Sequence, residues 1–210
     1  MNPIHHKIKE QKIVPLFYNA SFEVSKSIIQ TLYDAGIRVV EYTNRGAQAL
    51  ENFKNLKEYS ISECPDLFLG IGTIKNTEEL DLFINAEADF IITPVINEEL
   101  IRHAKGRNSL IIPGCLTPSE VNIAFQNDLK LVKIFPADVV GKKYIQSIKA
   151  VFPGMDFMPT GGISSEFEDI KEWLNGGAIA VGQGSALIQN NRSLEDLKSK
   201  VHELLNQLKS

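Results

Sequence analysis

The sequence predicts an α/β fold, a single (β/α)8 TIM barrel carrying an N-terminal helix, with residues 1–210 forming one domain. Three observations carry that expectation. Eight short apolar runs recur with starts roughly 20–30 residues apart, the length of one strand–helix unit. Helix-like segments lie between them. Polar and glycine-rich positions gather where the runs end, which is where barrels of this kind place their chemistry.

The runs are Ile13–Phe17, Arg38–Thr43, Leu67–Ile71, Phe90–Thr93, Ser109–Pro113, Leu131–Phe135, Asp156–Pro159 and Ala178–Val181. They are rich in Val, Ile, Leu and Phe and nearly continuous, as parallel strands covered on both faces should be. Among the intervening segments, Ser21–Ala35 sets Val24, Ile28, Ile29 and Leu32 at near-helical spacing and stops at Gly36. Asn76–Ala86 carries Leu80, Leu82, Phe83 and Ile84. Thr117–Asn127 opens with an N-cap threonine, a proline and, three residues after the cap, Glu120. Phe167–Asn175 ends at Gly176-Gly177, and Leu194–Leu208 closes the chain as an amphipathic helix. A doubly wound open sheet would show the same alternation and is the competing architecture.

Composition narrows the function classes. The 210 residues are 43% hydrophobic and 23% charged, an ordinary globular mixture able to bury a core without disulfides. The net charge of −4 offers no basic excess for a nucleic-acid backbone, so no nucleic-acid partner is expected. Cys64 and Cys115 have no metal-site spacing and read as reduced thiols, consistent with a cytoplasmic protein. The first twelve residues are polar and lack the apolar segment of a secretory signal. No apolar stretch approaches 18 residues, so no membrane span is expected. His5 and His6 lie in a terminus expected to be mobile and receive no role. His103 and His202 lack metal-ligand companions, and Trp173 reads as core.

Two charged residues stand inside apolar runs. Lys133 lies in Leu131-Val132-Lys133-Ile134-Phe135-Pro136. A lysine there either snorkels to water or keeps its amine in a special pocket, and a neutral amine is the nucleophile a Schiff base requires. Glu41 lies in Val39-Val40-Glu41-Tyr42-Thr43. A buried carboxyl suits proton transfer near neutrality, and it equally suits a structural ion pair with a base such as Lys133. Arg45 follows where the strand gives way to loop; it is either a bidentate carboxylate grip or a surface arginine. Thr73 either donates a hydroxyl or caps the helix beginning near Asn76. Thr160-Gly161-Gly162-Ile163-Ser164 and Gly182-Gln183-Gly184-Ser185-Ala186 follow the last two strands, where barrels often hold phosphate on backbone N–H groups. Tight turns would explain the same glycines.

These motifs, in this order, resemble the 2-keto-3-deoxy-6-phosphogluconate (KDPG) and 4-hydroxy-2-oxoglutarate (KHG) aldolase family. The resemblance runs from Ile13-Val14-Pro15 through Glu41-Tyr42-Thr43-Asn44-Arg45, Gly70-Ile71-Gly72-Thr73, Thr93-Pro94, Pro113-Gly114 and Lys133-Ile134-Phe135-Pro136-Ala137. It ends in Thr160-Gly161-Gly162 and Gly182-Gln183-Gly184-Ser185. It implies a class I aldolase that needs no metal or other cofactor, usually a homotrimer, acting on a small 2-keto acid. By position, Lys133 is the Schiff-base lysine and Glu41 the general acid/base. Arg45 and Thr73 would bind the pyruvate carboxylate, and Pro94 and Phe135 would shape the pocket around it. Thr160 would meet the aldehyde portion, and Gly161, Gly162, Gly184 and Ser185 would hold the phosphate. The chain departs from the family pattern at Asn44 and at Gln183, the second within the phosphate motif. An isomerase or epimerase on the same barrel would need a carboxylate pair or metal-binding histidines at strand ends. A non-catalytic sugar-acid-binding barrel would need the anion loops but not Glu41 and Lys133 together.

Overall fold

The computed structural model describes residues 2–191 and 193–209. The chain opens with α1 (Pro3–Gln11), β1 (Ile13–Phe17), α2 (Phe22–Asp34), β2 (Val39–Thr43), α3 (Ala49–Glu63) and β3 (Phe68–Gly72). It continues with α4 (Thr77–Asn85), β4 (Phe90–Ile92), α5 (Glu98–Gly106), β5 (Leu110–Ile112), β6 (Gly114–Cys115) and α6 (Pro118–Gln126). Next come β7 (Leu131–Ile134), α7 (Ala137–Val140), α8 (Lys142–Val151), β8 (Asp156–Pro159), α9 (Phe167–Asn175), β9 (Val181–Gln183), α10 (Ser185–Ile188) and α11 (Leu194–Lys209).

All paired strands are parallel. Six form a curled sheet in the order β5-β4-β3-β2-β1-β9, and three form a second in the order β6-β7-β8. The fifth expected strand is split because Pro113, between β5 and β6, has no N–H to give to a ladder; its carbonyl still accepts from Lys133 N at 2.9 Å. At the other seam Thr160 bridges Gly182 in parallel and Ile179 N donates to Phe157 O at 3.0 Å. The last strand therefore begins at Val181, three residues later than the apolar run suggests.

Successive strand residues fall alternately into two apolar clusters, as the two-residue period of a strand requires. Val40, Tyr42, Leu69, Ile71, Ile91, Ile111, Val132, Ile134 and Phe157 pack in the large cluster with the helices. Val14, Val39, Phe90, Ile92, Ile112, Leu131 and Met158 form the smaller one inside the strands. Ile4 and Ile8 of α1 join that inner cluster and close its floor.

The expected N-terminal helix is present as α1, and it packs in place rather than forming the mobile segment expected around His5 and His6. Asn2 caps α1. His5 is buried and bonds Asp156 at 2.8 Å, a pairing that holds the aspartate carboxyl below its usual range against the opposing effect of burial. Gln11 bridges the starts of β1 and β2. Its amide donates to Ile13 O and Val39 O, and its carbonyl accepts from Arg38 N and Val39 N. The expected Thr117–Glu120 capping box is present on α6, and Ser21 caps α2 and Asn76 caps α4. Helices α3 and α8 were not marked by the sequence, and neither has a side-chain cap.

Candidate active site

Position parity places the two charged strand residues. Glu41 shares the inward face of β2 with Val39, and Lys133 shares that of β7 with Leu131. The two side chains meet there: Lys133 Nζ lies 3.8 Å from Glu41 Oε1, with the lysine side chain 5% and the glutamate side chain 1% exposed. The lysine does not snorkel to water. Its amine also sits 5.1 Å from the centre of the Phe135 ring, within cation–π range. Neither oxygen of Glu41 has a hydrogen-bond partner. Burial drives the Glu41 carboxyl above the usual carboxylate range, and the charges of Lys133 and Arg45 only partly oppose that.

A cavity of about 490 Å³ opens beside this pair, at the C-terminal ends of the strands. Arg45, Phe135, Thr160, Gly161, Gly162, Gly184 and Ser185 all line it. Seven residues picked from the sequence are thus gathered around one space. Lys133, Glu41, Thr73 and Pro94 are not part of its lining. Phe135 connects the two regions, because its ring faces both the cavity and the lysine amine.

The local backbone is shaped for this. Gly161 and Gly162 both have positive φ, +99° and +69°, a region costly for residues with a Cβ. At Gly162 such a Cβ would also strike Asp138. Thr160 O and Gly161 O accept from Ala137 N and Asp138 N, so the loop is tied to the start of α7. Thr73 has φ +67°, an outlier for a β-branched residue at a strand end. It does not cap α4, because Asn76 does that through Glu79 N. Pro94 is half-buried, and its carbonyl presses against Gly114 so closely that a Cβ there would lie 2.4 Å away.

Two features were missed at the sequence level. Leu16 lines the cavity; its parity with Val14 and its register with Glu41 were the available signal. Tyr18, Asn19 and Gln189 line an adjoining space of about 410 Å³ that shares Arg45, Gly184 and Ser185 with the first. Gln183, the departure within the glycine motif, is fully buried and does not line the cavity. It reaches Ser164 O through Nε2 at 3.2 Å, joining β9 to the loop after β8. Among the described residues no cluster of three or more His, Cys, Asp or Glu is arranged to hold a metal ion.

A larger cavity, about 640 Å³, lies at the opposite end of the strands and is lined by Lys9, Lys12, Lys149 and Lys171. Lys12 donates to Leu208 O and Lys149 to Gly177 O. These lysines meet the carbonyl ends of α11 and α9, where positive charge offsets the helix dipole. That cavity has a structural explanation, and the site with unsatisfied chemistry is the one around Glu41 and Lys133.

Comparison with known proteins identifies the family. A family model described as KDPG and KHG aldolase matches residues 4–203. The 2-dehydro-3-deoxy-phosphogluconate aldolase of Haemophilus influenzae is 29% identical, covering 98% of this chain and 97% of the relative. The 2-keto-3-deoxy-6-phosphogluconate aldolase of Zymomonas mobilis, solved with 3-phosphoglycerate, superposes with a TM-score of 0.87 at 26% identity, covering 97% of this chain and 95% of that one. The KDPG aldolase of Legionella pneumophila, solved with pyruvate captured as a covalent carbinolamine, superposes with a TM-score of 0.82 at 26% identity, covering 95% and 94%.

Proposed function

The chain belongs to the KDPG and KHG aldolase family and is a lyase, and from that premise we propose that Lys133 is its Schiff-base lysine and Glu41 its general acid/base. One observation carries this: an amine and a carboxyl lie buried 3.8 Å apart on the inward face of the strands, beside an open cavity.

Once it has given up its proton, the amine of Lys133 adds to the C2 carbonyl of a 2-keto-3-deoxy acid, giving a carbinolamine. Protonation of its hydroxyl by Glu41 releases water and leaves an iminium ion. Removal of the proton from the C4 hydroxyl breaks the C3–C4 bond; its electron pair moves to the iminium, forming an enamine, and an aldehyde departs. Protonation at C3 and addition of water return pyruvate and the free lysine. The raised pKa of Glu41 suits both directions of transfer, because the carboxyl gains and loses a proton nearer neutrality than an ordinary one.

The best-supported substrate is 2-dehydro-3-deoxy-6-phosphogluconate, cleaved to pyruvate and glyceraldehyde 3-phosphate, with 4-hydroxy-2-oxoglutarate, cleaved to pyruvate and glyoxylate, as a second. Arg45 and Thr73 bind the pyruvate carboxylate in this reading, while Pro94 and Phe135 wall the pocket. Thr160 meets the aldehyde portion. Gly161, Gly162, Gly184 and Ser185 hold the phosphate, a role supported by their common cavity and by the 3-phosphoglycerate with which the Zymomonas mobilis aldolase was solved. The galactonate epimer and unphosphorylated keto acids are the alternatives. Pyruvate release from each of these four, assayed side by side, decides among them. Reduction with borohydride in the presence of pyruvate leaves a three-carbon adduct on Lys133; a folded sample with no adduct there refutes the mechanism.

The assembly follows the same reading. The contacts at Pro113 and between Thr160 and Gly182 support closure of the two sheets into one eight-stranded (β/α)8 ring. A homotrimer is the assembly that the family resemblance implies, and exposed Phe125, Val139 and Val151, on α6, α7 and α8, offer apolar surface that a partner subunit would cover. The free, buried Cys64 and Cys115 support a cytoplasmic location.

A further inference from the structure

Glu41 is buried among neighbours that do not hold it. No donor fixes either carboxylate oxygen. Its nearest charged group is Lys133 at 3.8 Å, longer than a good hydrogen bond. Something else must define where the carboxyl rests. Strand β3 supplies it. Gly70 and Gly72 occupy successive inward positions, in register with Glu41 and Thr43 of β2. They leave a trough in the inner wall. A Cβ on Gly70 would lie 2.3 Å from the Phe90 ring, so that ring fills the lower half. A Cβ on Gly72 would lie 1.7 Å from Glu41 Oε1 and 2.5 Å from its Cδ, so the carboxyl fills the upper half. The φ of Gly72 is not positive, so its backbone does not demand glycine. The space does.

We propose that Gly72 is a positioning residue for the aldolase reaction: by lacking a Cβ it leaves the room in which the Glu41 carboxyl leans toward Lys133. This rests on the roles proposed above for Glu41 and Lys133. Adding one methyl group at residue 72 displaces the far end of a side chain rather than the strand. The loss should therefore appear in proton transfer, in kcat, more than in substrate binding.

The test is a double-mutant cycle with Gly72→Ala and Glu41→Asp. Aspartate withdraws the carboxyl by one methylene and frees the volume the new Cβ needs. With Glu41 in place, Gly72→Ala should lower kcat about 10²-fold, the scale of a roughly 1 Å misplacement, with a much smaller change in KM. Borohydride trapping of pyruvate should slow in parallel. In the Glu41→Asp background the same substitution should cost little, so the two effects are strongly non-additive. An equal penalty in both backgrounds, or full activity of Gly72→Ala, overturns the proposal. If Gly72→Ala fails to fold, Gly72→Ala combined with Glu41→Ala is followed by circular dichroism and urea melts. Recovery of the fold when the carboxyl is removed supports competition for one space, and failure to recover overturns it. Absence of a pyruvate adduct in the wild type would instead refute the Lys133 assignment, so the two failures are told apart.

Discussion

Lys133→Met removes the amine while keeping the length and apolar character of the stem, so it separates chemistry from packing. Turnover and adduct formation should both disappear. The more informative consequence concerns stability. At 3.8 Å and an effective dielectric of about 20, the Lys133–Glu41 attraction is about 4 kcal/mol. The variant loses it, and an ionised Glu41 left alone in the interior would cost about 3–5 kcal/mol. The carboxyl has a cheaper course, which is to keep its proton. Its folded pKa, already raised by burial, rises further once the opposing charge of Lys133 is gone. A carboxyl with a raised folded pKa is a source of stability below its unfolded value of 4.5, and that stability is lost as pH rises through the folded value. Across that window the loss is about 1.4 kcal/mol per pH unit. Urea unfolding of wild type and variant should therefore match most closely near pH 5 and diverge toward pH 8, the variant falling. A variant whose deficit is independent of pH would show that Glu41 does not titrate there and would refute the coupling of the buried pair. A variant that still releases pyruvate would remove Lys133 from the mechanism; one that keeps substrate affinity without turnover remains consistent with an aldolase and shows binding to be separable from chemistry.

Three further outcomes are expected. Glu41→Gln should lower kcat/KM by about 10²–10⁴-fold and abolish the acidic limb of its pH profile, which in the wild type should have an apparent pKa above 4.5; an unchanged limb assigns it to another group. His5→Ala should destabilise the fold by about 1.5–3 kcal/mol, the scale of a hydrogen bond to a charged group. Because Asp156 is held below the ordinary value of 3.8, the pair's contribution is present above that pH and is lost as pH falls through the lowered folded value; denaturant midpoints across acidic pH check it. Burial raises the Cys64 thiol to about 11 and the Cys115 thiol to about 12, so neither should react with a thiol reagent at pH 8 until denaturant is added. Rapid labelling of either in the native protein contradicts their burial.

What the sequence revealed depended on local cost. A charge inside an apolar strand is expensive, so Glu41 and Lys133 stood out without a structure, and strand parity correctly turns them inward together. Thr117 declared its helix because a cap is a local interaction, and α2 and α4 were legible from their apolar spacing. Helices α3 and α8 were not read, whereas α9, equally without a side-chain cap, was, because Gly176-Gly177 mark its end. Two alternatives could be settled only in three dimensions. Thr73 is not a cap, because Asn76, three residues on, takes that role. Gln183 does not enter the glycine-lined cavity; it braces the loop behind it. His5 was illegible for a simpler reason: its partner, Asp156, lies 151 residues away in the sequence.

The two ends of the strands are built on opposite terms. At the N-terminal end polar groups are matched: Gln11 makes four bonds to the backbone, His5 meets Asp156, and Ile4 and Ile8 seal the floor. At the C-terminal end costs are left standing. Thr73 holds a left-handed conformation worth about 1–3 kcal/mol of strain, and both oxygens of Glu41 go without donors in a nearly dry interior. A fold selected for stability alone would have satisfied that carboxyl with a donor. A donor there would also have held the proton acceptor in one state. Left with only the 3.8 Å ion pair to Lys133, Glu41 in its proposed role has no hydrogen bond to a neighbour that must break before a hydroxyl of the carbinolamine reaches it. In that proposed role, the donor that the protein does not supply to Glu41 is the one the substrate brings.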